Sequence, residues 1–237
     1  MTRWLWYVFT AMLALVATGV ELDRQARRDP ELAAWVPAPF RSFAQAQMVV
    51  IRLERGEHEA AIREADTLVR RRPIPAESLF LLALAHYDAG SDGVASQALA
   101  ISGERGWRVP QVQLAMIRIA LNTGAIDMAA SRLLALWSIG VDPQLLENST
   151  RAVLAAPGGP EAFGKIVAES RFMQDAVLRS AGGYTSSGNY ARMVHAAIAQ
   201  GAEFDCAVLQ MNIRSIQREG HKDEARMFMA PYCKNST

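Results

Sequence analysis

Three glycines set the ruler for this chain. Gly56, Gly90 and Gly124 are evenly spaced, one interval of thirty-four positions taken twice, and each is followed five positions later by an alanine, Ala61, Ala95 and Ala129. A fixed period of this length marks a repeat architecture, and it constrains the fold more than any local motif. Its physical content is a helical hairpin. Apolar residues at helical spacing precede each glycine, as in Leu79, Leu82 and Ala83 or Leu114, Ile117 and Leu121, and a second run follows, as in Ala95, Leu99 and Ile101. Glycine turns the chain through a left-handed conformation that a Cβ resists. The alanine lets the second helix approach the first closely. One hairpin leaves an apolar face uncovered, so the units must stack.

This pattern resembles the tetratricopeptide repeat. Ala83, Gly90 and Ala95 fit that family's middle positions well, as do Gly56, Ala61 and Pro73 in the first unit. The departures are Gln45, Leu79 and Gln113 where the family carries an aromatic, Leu68 for a later alanine, and Trp107 for a closing proline. The resemblance implies an all-α fold, a right-handed solenoid of hairpins; in this chain one N-terminal hydrophobic helix, read from its own residues below, precedes it. It also implies scaffolding: the first helix of each hairpin would line a concave groove for a partner's extended peptide or helix. Carried over by the glycine register, that groove comprises Ala46, Val50 and Leu53, then Phe80, Leu84, Tyr87 and Asp88, then Leu114, Arg118 and Asn122. Arg118 interrupts an apolar helix. There it either meets a partner's carboxylate, with Asn122 one turn on, or pairs internally or snorkels to solvent.

Trp4 to Val20 contains no charged residue and is bounded by Arg3 and by Glu21 and Asp23. At about 1.5 Å per residue it spans roughly 25 Å, enough for a thin bilayer, with Trp4, Trp6 and Tyr7 where an interfacial aromatic belt belongs. Ala17-Thr18-Gly19 also resembles a signal-peptide cleavage site, so a retained anchor, a cleaved signal and a buried helix all remain open. Orientation is weakly specified, because Arg3 precedes the span while Arg24, Arg27 and Arg28 follow it. The segment from Asp29 to Arg41 is stiffened by Pro30, Pro37 and Pro39, and Trp35, Val36 and Phe40 suggest that it docks on the first repeat as a cap.

Beyond residue 143 the period loosens. Gly158 follows Gly124 by the same interval, between expected helices Gln144 to Ala155 and Pro160 to Ser170. Further helices are expected over Phe172 to Ser180, Asn189 to Gln200, Asp205 to Arg218 and Lys222 to Met229, with no convincing strand. The chain thus reads as a membrane or signal segment over 1–22, a connector over 23–42, three hairpins over 43–143 and degenerate hairpins over 144–237. Cys206 and Cys233 flank Gly220 almost symmetrically, which would set them opposite each other in a final hairpin. They are either a disulfide, worth roughly 3 kcal/mol by loop closure, or two small buried thiols. A bridge would select an oxidising compartment such as a periplasm.

Chemistry is sparse. The histidines, His58, His86, His195 and His221, fall in different hairpins and form no metal motif, and no metal or other cofactor is expected. The loop from Ala181 to Tyr190 lacks the Gly-Lys-Ser/Thr ending of a phosphate cradle, and no serine occupies a G-x-S-x-G elbow. Arg70, Arg71 and Arg72 end a helix, where cations complement the dipole; an anionic-lipid or acidic-partner patch is the second reading. With 25 basic and 24 acidic side chains and a net charge of +1, the chain carries no nucleic-acid signature. The expectation is a membrane-tethered, periplasm-facing adaptor that binds a protein partner in an envelope assembly, secretion or polysaccharide-export system, and not an enzyme. The alternative is a small-ligand binder or enzyme with a pocket in 158–200, built from Glu161, Lys165, Glu169 and Asp175. Signal cleavage into the periplasm and a cytosol-facing adaptor are the other addresses.

Overall fold

The computed structural model describes residues 2–205 together with 210, 214, 233 and 234. The protein is helical, with one long apolar helix at its N-terminus, and it divides into two compact units at the boundary between Gly106 and Trp107. The first unit holds α1 (Thr2–Gln25), two 3-10 turns (Pro30–Trp35 and Ala38–Phe40), α2 (Phe43–Glu54), α3 (His58–Arg71), α4 (Ala76–Asp88) and α5 (Asp92–Arg105). The second holds α6 (Pro110–Asn122), α7 (Ile126–Ile139), α8 (Pro143–Ala155), α9 (Gly159–Glu169), α10 (Gln174–Ala181) and α11 (Ser187–Ala199). The glycine period therefore runs across the division, with two hairpins in the first unit and the third in the second.

The period is visible in the backbone. Helices α2, α4 and α6 end at Glu54, Asp88 and Asn122, and α3, α5 and α7 begin at His58, Asp92 and Ile126, each set displaced by the same interval as the glycines. Gly56, Gly90 and Gly124 have φ of 67°, 75° and 72°. Beyond each of them the next amide reaches back five residues: Glu57 N–H donates to the Arg52 carbonyl at 2.9 Å, Ser91 to His86 at 2.8 Å and Ala125 to Ala120 at 2.8 Å. This is the Schellman closure, in which a left-handed glycine lets orphan carbonyls at the helix end find donors. Gly158 is left-handed too, with φ of 76°, but it serves as the N-cap of α9. A Cβ on the adjacent Gly159 would fall 1.9 Å from the Val153 carbonyl oxygen, so this tighter turn needs two glycines.

Burial follows the same register. Ala61, Ala95 and Ala129 are all buried, as are Leu68, Ser102 and Leu136 one step further along. Gln45 and Gln113, standing where the resembled family has aromatics, are buried as fully as Leu79 between them. Gln45 offsets its desolvation through its amide, whose Nε2 donates to the Glu64 carbonyl at 3.0 Å. In the first unit α4 packs on α2, α3 and α5. Leu133, Leu136, Phe163, Leu178 and Tyr190 are central to the core of the second unit, where Trp137 Nε1 donates to Thr150 Oγ1 at 3.2 Å and the Tyr190 hydroxyl to the Leu178 carbonyl at 2.9 Å.

Several expected boundaries shift. Phe172 stands outside α10 and is 93% exposed, because Met173 takes the N-cap and turns inward. Helix α11 starts at Ser187, two residues early, with the Ser186 hydroxyl capping the Asn189 amide. Phe204–Asp205 (β1) pairs in parallel with Cys233–Lys234 (β2), a short strand pairing that no alternation announced. Most of the two helices expected over 205–229, and the Cys206–Cys233 pairing, lie outside the described residues.

Candidate functional site

Two features of the first unit bear on function: the foot of α1 and the outer stripe of α4. Over Arg3–Gln25, α1 is long and apolar enough to span a membrane or to be a signal sequence, and its apolar window is 6% buried. Its last turns belong to the folded unit. Leu22 and Ala26 pack with Ala33, Val36, Ala44 and Met48. The buried Asp23 carboxylate accepts from the backbone amides of Ser42 at 2.8 Å, Phe43 at 3.2 Å and Ala44 at 2.9 Å. It thereby caps α2, since the α2 N-cap residue, Ser42, makes no side-chain cap. An acid there also complements the positive end of the helix dipole. Gly19 faces Phe40 so closely that a Cβ would lie 2.6 Å from the ring.

The connector docks as expected, but not through every apolar residue named for it. Val36 is fully buried and Phe40 half-buried, whereas Trp35 is 78% exposed. Arginines gather round the connector. Arg71 Nη1 donates to the carbonyls of Ala38 at 3.1 Å and Arg41 at 2.8 Å, and Arg41 Nε to the Val36 carbonyl at 2.8 Å. The guanidinium groups of Arg27 and Arg72 each lie 5.3 Å from the centre of the Phe43 ring.

The groove residues divide by environment. On α2, Ala46 and Leu53 pack against Val49, Ala61, Ala65, Leu68 and Ala85, and Val50 is half-buried. On α4, Phe80 is half-buried, while Leu84 and Tyr87 are 37% and 71% exposed. Phe80, Leu84 and Tyr87 recur at the i, i+4, i+7 spacing of one helix face. Asp88 is engaged within the unit, its Oδ2 lying 2.6 Å from His58 Nδ1. Leu114, Arg118 and Asn122 belong to α6 in the second unit. Leu114 packs against the core there, Asn122 is exposed, and Arg118 is exposed with no acid paired to it among the described residues.

In the 158–200 region Glu161, Lys165, Glu169 and Asp175 are all exposed. Glu161 and Lys165 line an open cleft of about 450 Å³ with Asp127, Gly158, Ala196 and Gln200, and Glu161 Oε1 lies 3.6 Å from Arg192 Nη1. Glu169 and Asp175 do not line it. Among the described residues no group of three metal-ligating side chains converges. Sequence reasoning missed Arg132, buried on α7 with its guanidinium 4.0 Å from the Trp107 ring centre. Burial lowers its pKa. It missed Asp23 as well, whose role depends on amides 19 to 21 residues away. Comparison with family models, with curated proteins and with solved structures found no match for this chain.

Proposed function

We propose that this protein is a membrane-tethered helical-repeat adaptor of tetratricopeptide-like build, whose repeat face holds a protein partner close to the bilayer. The observation that carries the reading is the partly open stripe of Phe80, Leu84 and Tyr87 on the first helix of a hairpin, in the same compact unit as α1. Stripes at this spacing receive a partner's helix or extended segment through a few apolar and aromatic anchors. The packing of α4 on both α2 and α3 supports stacked hairpins.

Retention of α1 is supported by its foot. Gly19, within the Ala17-Thr18-Gly19 site, packs against Phe40 from inside α1, a contact that a chain cut at this site would lose. Orientation follows the basic residues. Arg3 alone precedes the span, and Arg24, Arg27 and Arg28 follow it. That weight favours a cytoplasmic repeat face. The periplasmic placement suggested by the cysteines is the other outcome of the same test.

A photo-crosslinking residue at Tyr87 of the full chain, expressed in cells, tests partner binding and address together. A discrete adduct in the membrane fraction, lost when Leu84→Glu is added, is the expected result. An absence of any adduct at Tyr87 would overturn the adaptor reading. Labelling of Cys206 and Cys233 by a membrane-impermeant maleimide in intact cells, with or without prior opening of a disulfide by an impermeant phosphine, would overturn the cytoplasmic orientation. The cleft lined by Asp127, Glu161 and Lys165 favours one second reading, a small-ligand site. Loss of the cellular phenotype in Lys165→Ala with the Tyr87 adduct intact would transfer the function there.

A further inference from the structure

The arginines at the foot of α1 form a surface that the adaptor reading does not use. Their depth relative to a membrane follows from two contacts. Phe40 sits against Gly19, at the end of the uncharged span, so the second 3-10 turn stands level with the hydrocarbon edge. Arg71 donates to the carbonyls of Ala38 and Arg41 on either side of Phe40, which brings a residue remote in sequence to that same level. The headgroup layer is roughly 5–8 Å deep on each side. Arg24, four residues past Val20, rises about 6 Å above the edge at 1.5 Å per residue. Arg27 and Arg28 come one turn later, within reach of the layer by their long side chains.

None of Arg24, Arg27, Arg28, Arg71 and Arg72 forms an ion pair among the described residues. Asp23 is engaged by three backbone amides, Asp29 accepts from the Glu31 amide, and Glu64 faces Gln45 and Arg41. Glu21, Asp29 and Glu31 are the exposed acids close in sequence to Arg24, Arg27 and Arg28, and Glu21 accepts from the Gln25 side-chain amide. Arg27 and Arg72 share the Phe43 ring, so two like charges are held on one aromatic without an acid bridging them among the described residues. A planar guanidinium suits the oxygens of a phosphodiester. The exposed Trp35 adds an aromatic of the type that sits at headgroup level.

We propose that Arg24, Arg27, Arg28, Arg71 and Arg72 form a collar that binds the phosphodiester headgroups of anionic phospholipids around α1. The proposal rests on the reading that α1 stays in the bilayer. It gives the arginine run at the end of α3 a role at the membrane surface, and it holds the first repeat at a set height above the lipid.

Native mass spectrometry of the detergent-solubilised full chain, offered equal amounts of phosphatidylglycerol and phosphatidylcholine, tests it. The expected result is retention of phosphatidylglycerol over phosphatidylcholine. The side chains of Arg24 and Arg28 make no hydrogen bond or ion pair among the described residues, so Arg24→Gln with Arg28→Gln leaves the fold in place. With the roughly fivefold per arginine of an anionic bilayer surface as the ceiling, the double variant should lower the preference by up to about 25-fold. Equal retention of the two lipids, or an unchanged preference in the variant, would overturn the collar alone. The same spectrum reads the chain's mass, so a chain shortened near Gly19 would overturn the anchor and the collar together.

Discussion

Asp23→Ala should loosen the whole first unit, although the residue lies at the end of a helix remote in sequence from the hairpins it supports. The carboxylate is 5% exposed and accepts three backbone N–H bonds, from Ser42, Phe43 and Ala44. Those amides have no α2 carbonyl to bond, and the bond to Ala44 is buried while those to Ser42 and Phe43 are partly buried. Hydrogen bonds to a charged group contribute about 1.5–3 kcal/mol, and a lost N-cap costs about 0.5–2 kcal/mol. Because the three bonds share one carboxylate they do not add independently, and about 3 kcal/mol is the sum to expect. Asp23→Asn keeps the oxygen that serves Ser42 and Ala44 and should cost about 1 kcal/mol. Two units make a single unfolding transition a poor measure, so the assay is hydrogen exchange read peptide by peptide. For Asp23→Ala, protection over residues 42–54 should fall by about 100-fold, the equivalent of about 3 kcal/mol, with residues 107–199 unchanged. A change below threefold over 42–54 would refute the view that Asp23 holds α2 in place.

Other perturbations probe other contacts. Gly90→Ala forces a Cβ into φ of 75° and should destabilise by about 1–2 kcal/mol, whereas Gly93→Ala, in a helix with nothing within 4 Å, should be neutral or gain up to about 0.5 kcal/mol; hydrogen exchange over α4 and α5 separates them. Gly164→Ala sets a Cβ 2.2 Å from the Met193 carbonyl oxygen and should cost about 1–3 kcal/mol, read as faster exchange in α9 and α11. Trp107→Ala uncovers the buried Arg132 cation and should lower the second unit's stability by about 2 kcal/mol or more, against less than half of that for Trp107→Phe, read as faster hydrogen exchange in α7.

What was legible in the sequence is what repeats or is local. Glycine at 56, 90 and 124 predicts the turn, because a left-handed backbone is a one-residue requirement, and the structure meets it three times with the same closing hydrogen bond. The alanines five positions on are buried for the same local reason. Gln45 and Gln113 look like departures when judged by residue type, yet they occupy core positions, since the register decides burial and the Gln45 amide then finds a partner. The division at residue 106 was invisible, because the period continues through it undisturbed. Nor could local pattern disclose that Arg132 stacks on Trp107, a whole helix earlier in the chain, or that Trp35 is exposed while Val36 beside it is buried. Of the groove positions carried over by the register, Leu84 and Tyr87 are exposed, and nothing local in the sequence announced that Asp88 would be engaged by His58 from the preceding hairpin.

The end of the apolar span shows why the membrane question and the folding question have one structural answer. Residues 19 to 26 finish the uncharged segment and also complete the first hairpin, through the contact of Gly19 with Phe40, the Asp23 cap and the burial of Ala26. A flexible tether would separate those tasks, leaving a soluble unit that could turn freely on its anchor. Here α1 continues as helix to Gln25 while its last turns are core, so any force on the helix is carried directly to the N-terminus of α2. On the reading proposed above, the first repeat therefore cannot swing away from the bilayer without breaking the Asp23 cap. The stripe on α4 is then offered to a partner at a height fixed by those same contacts.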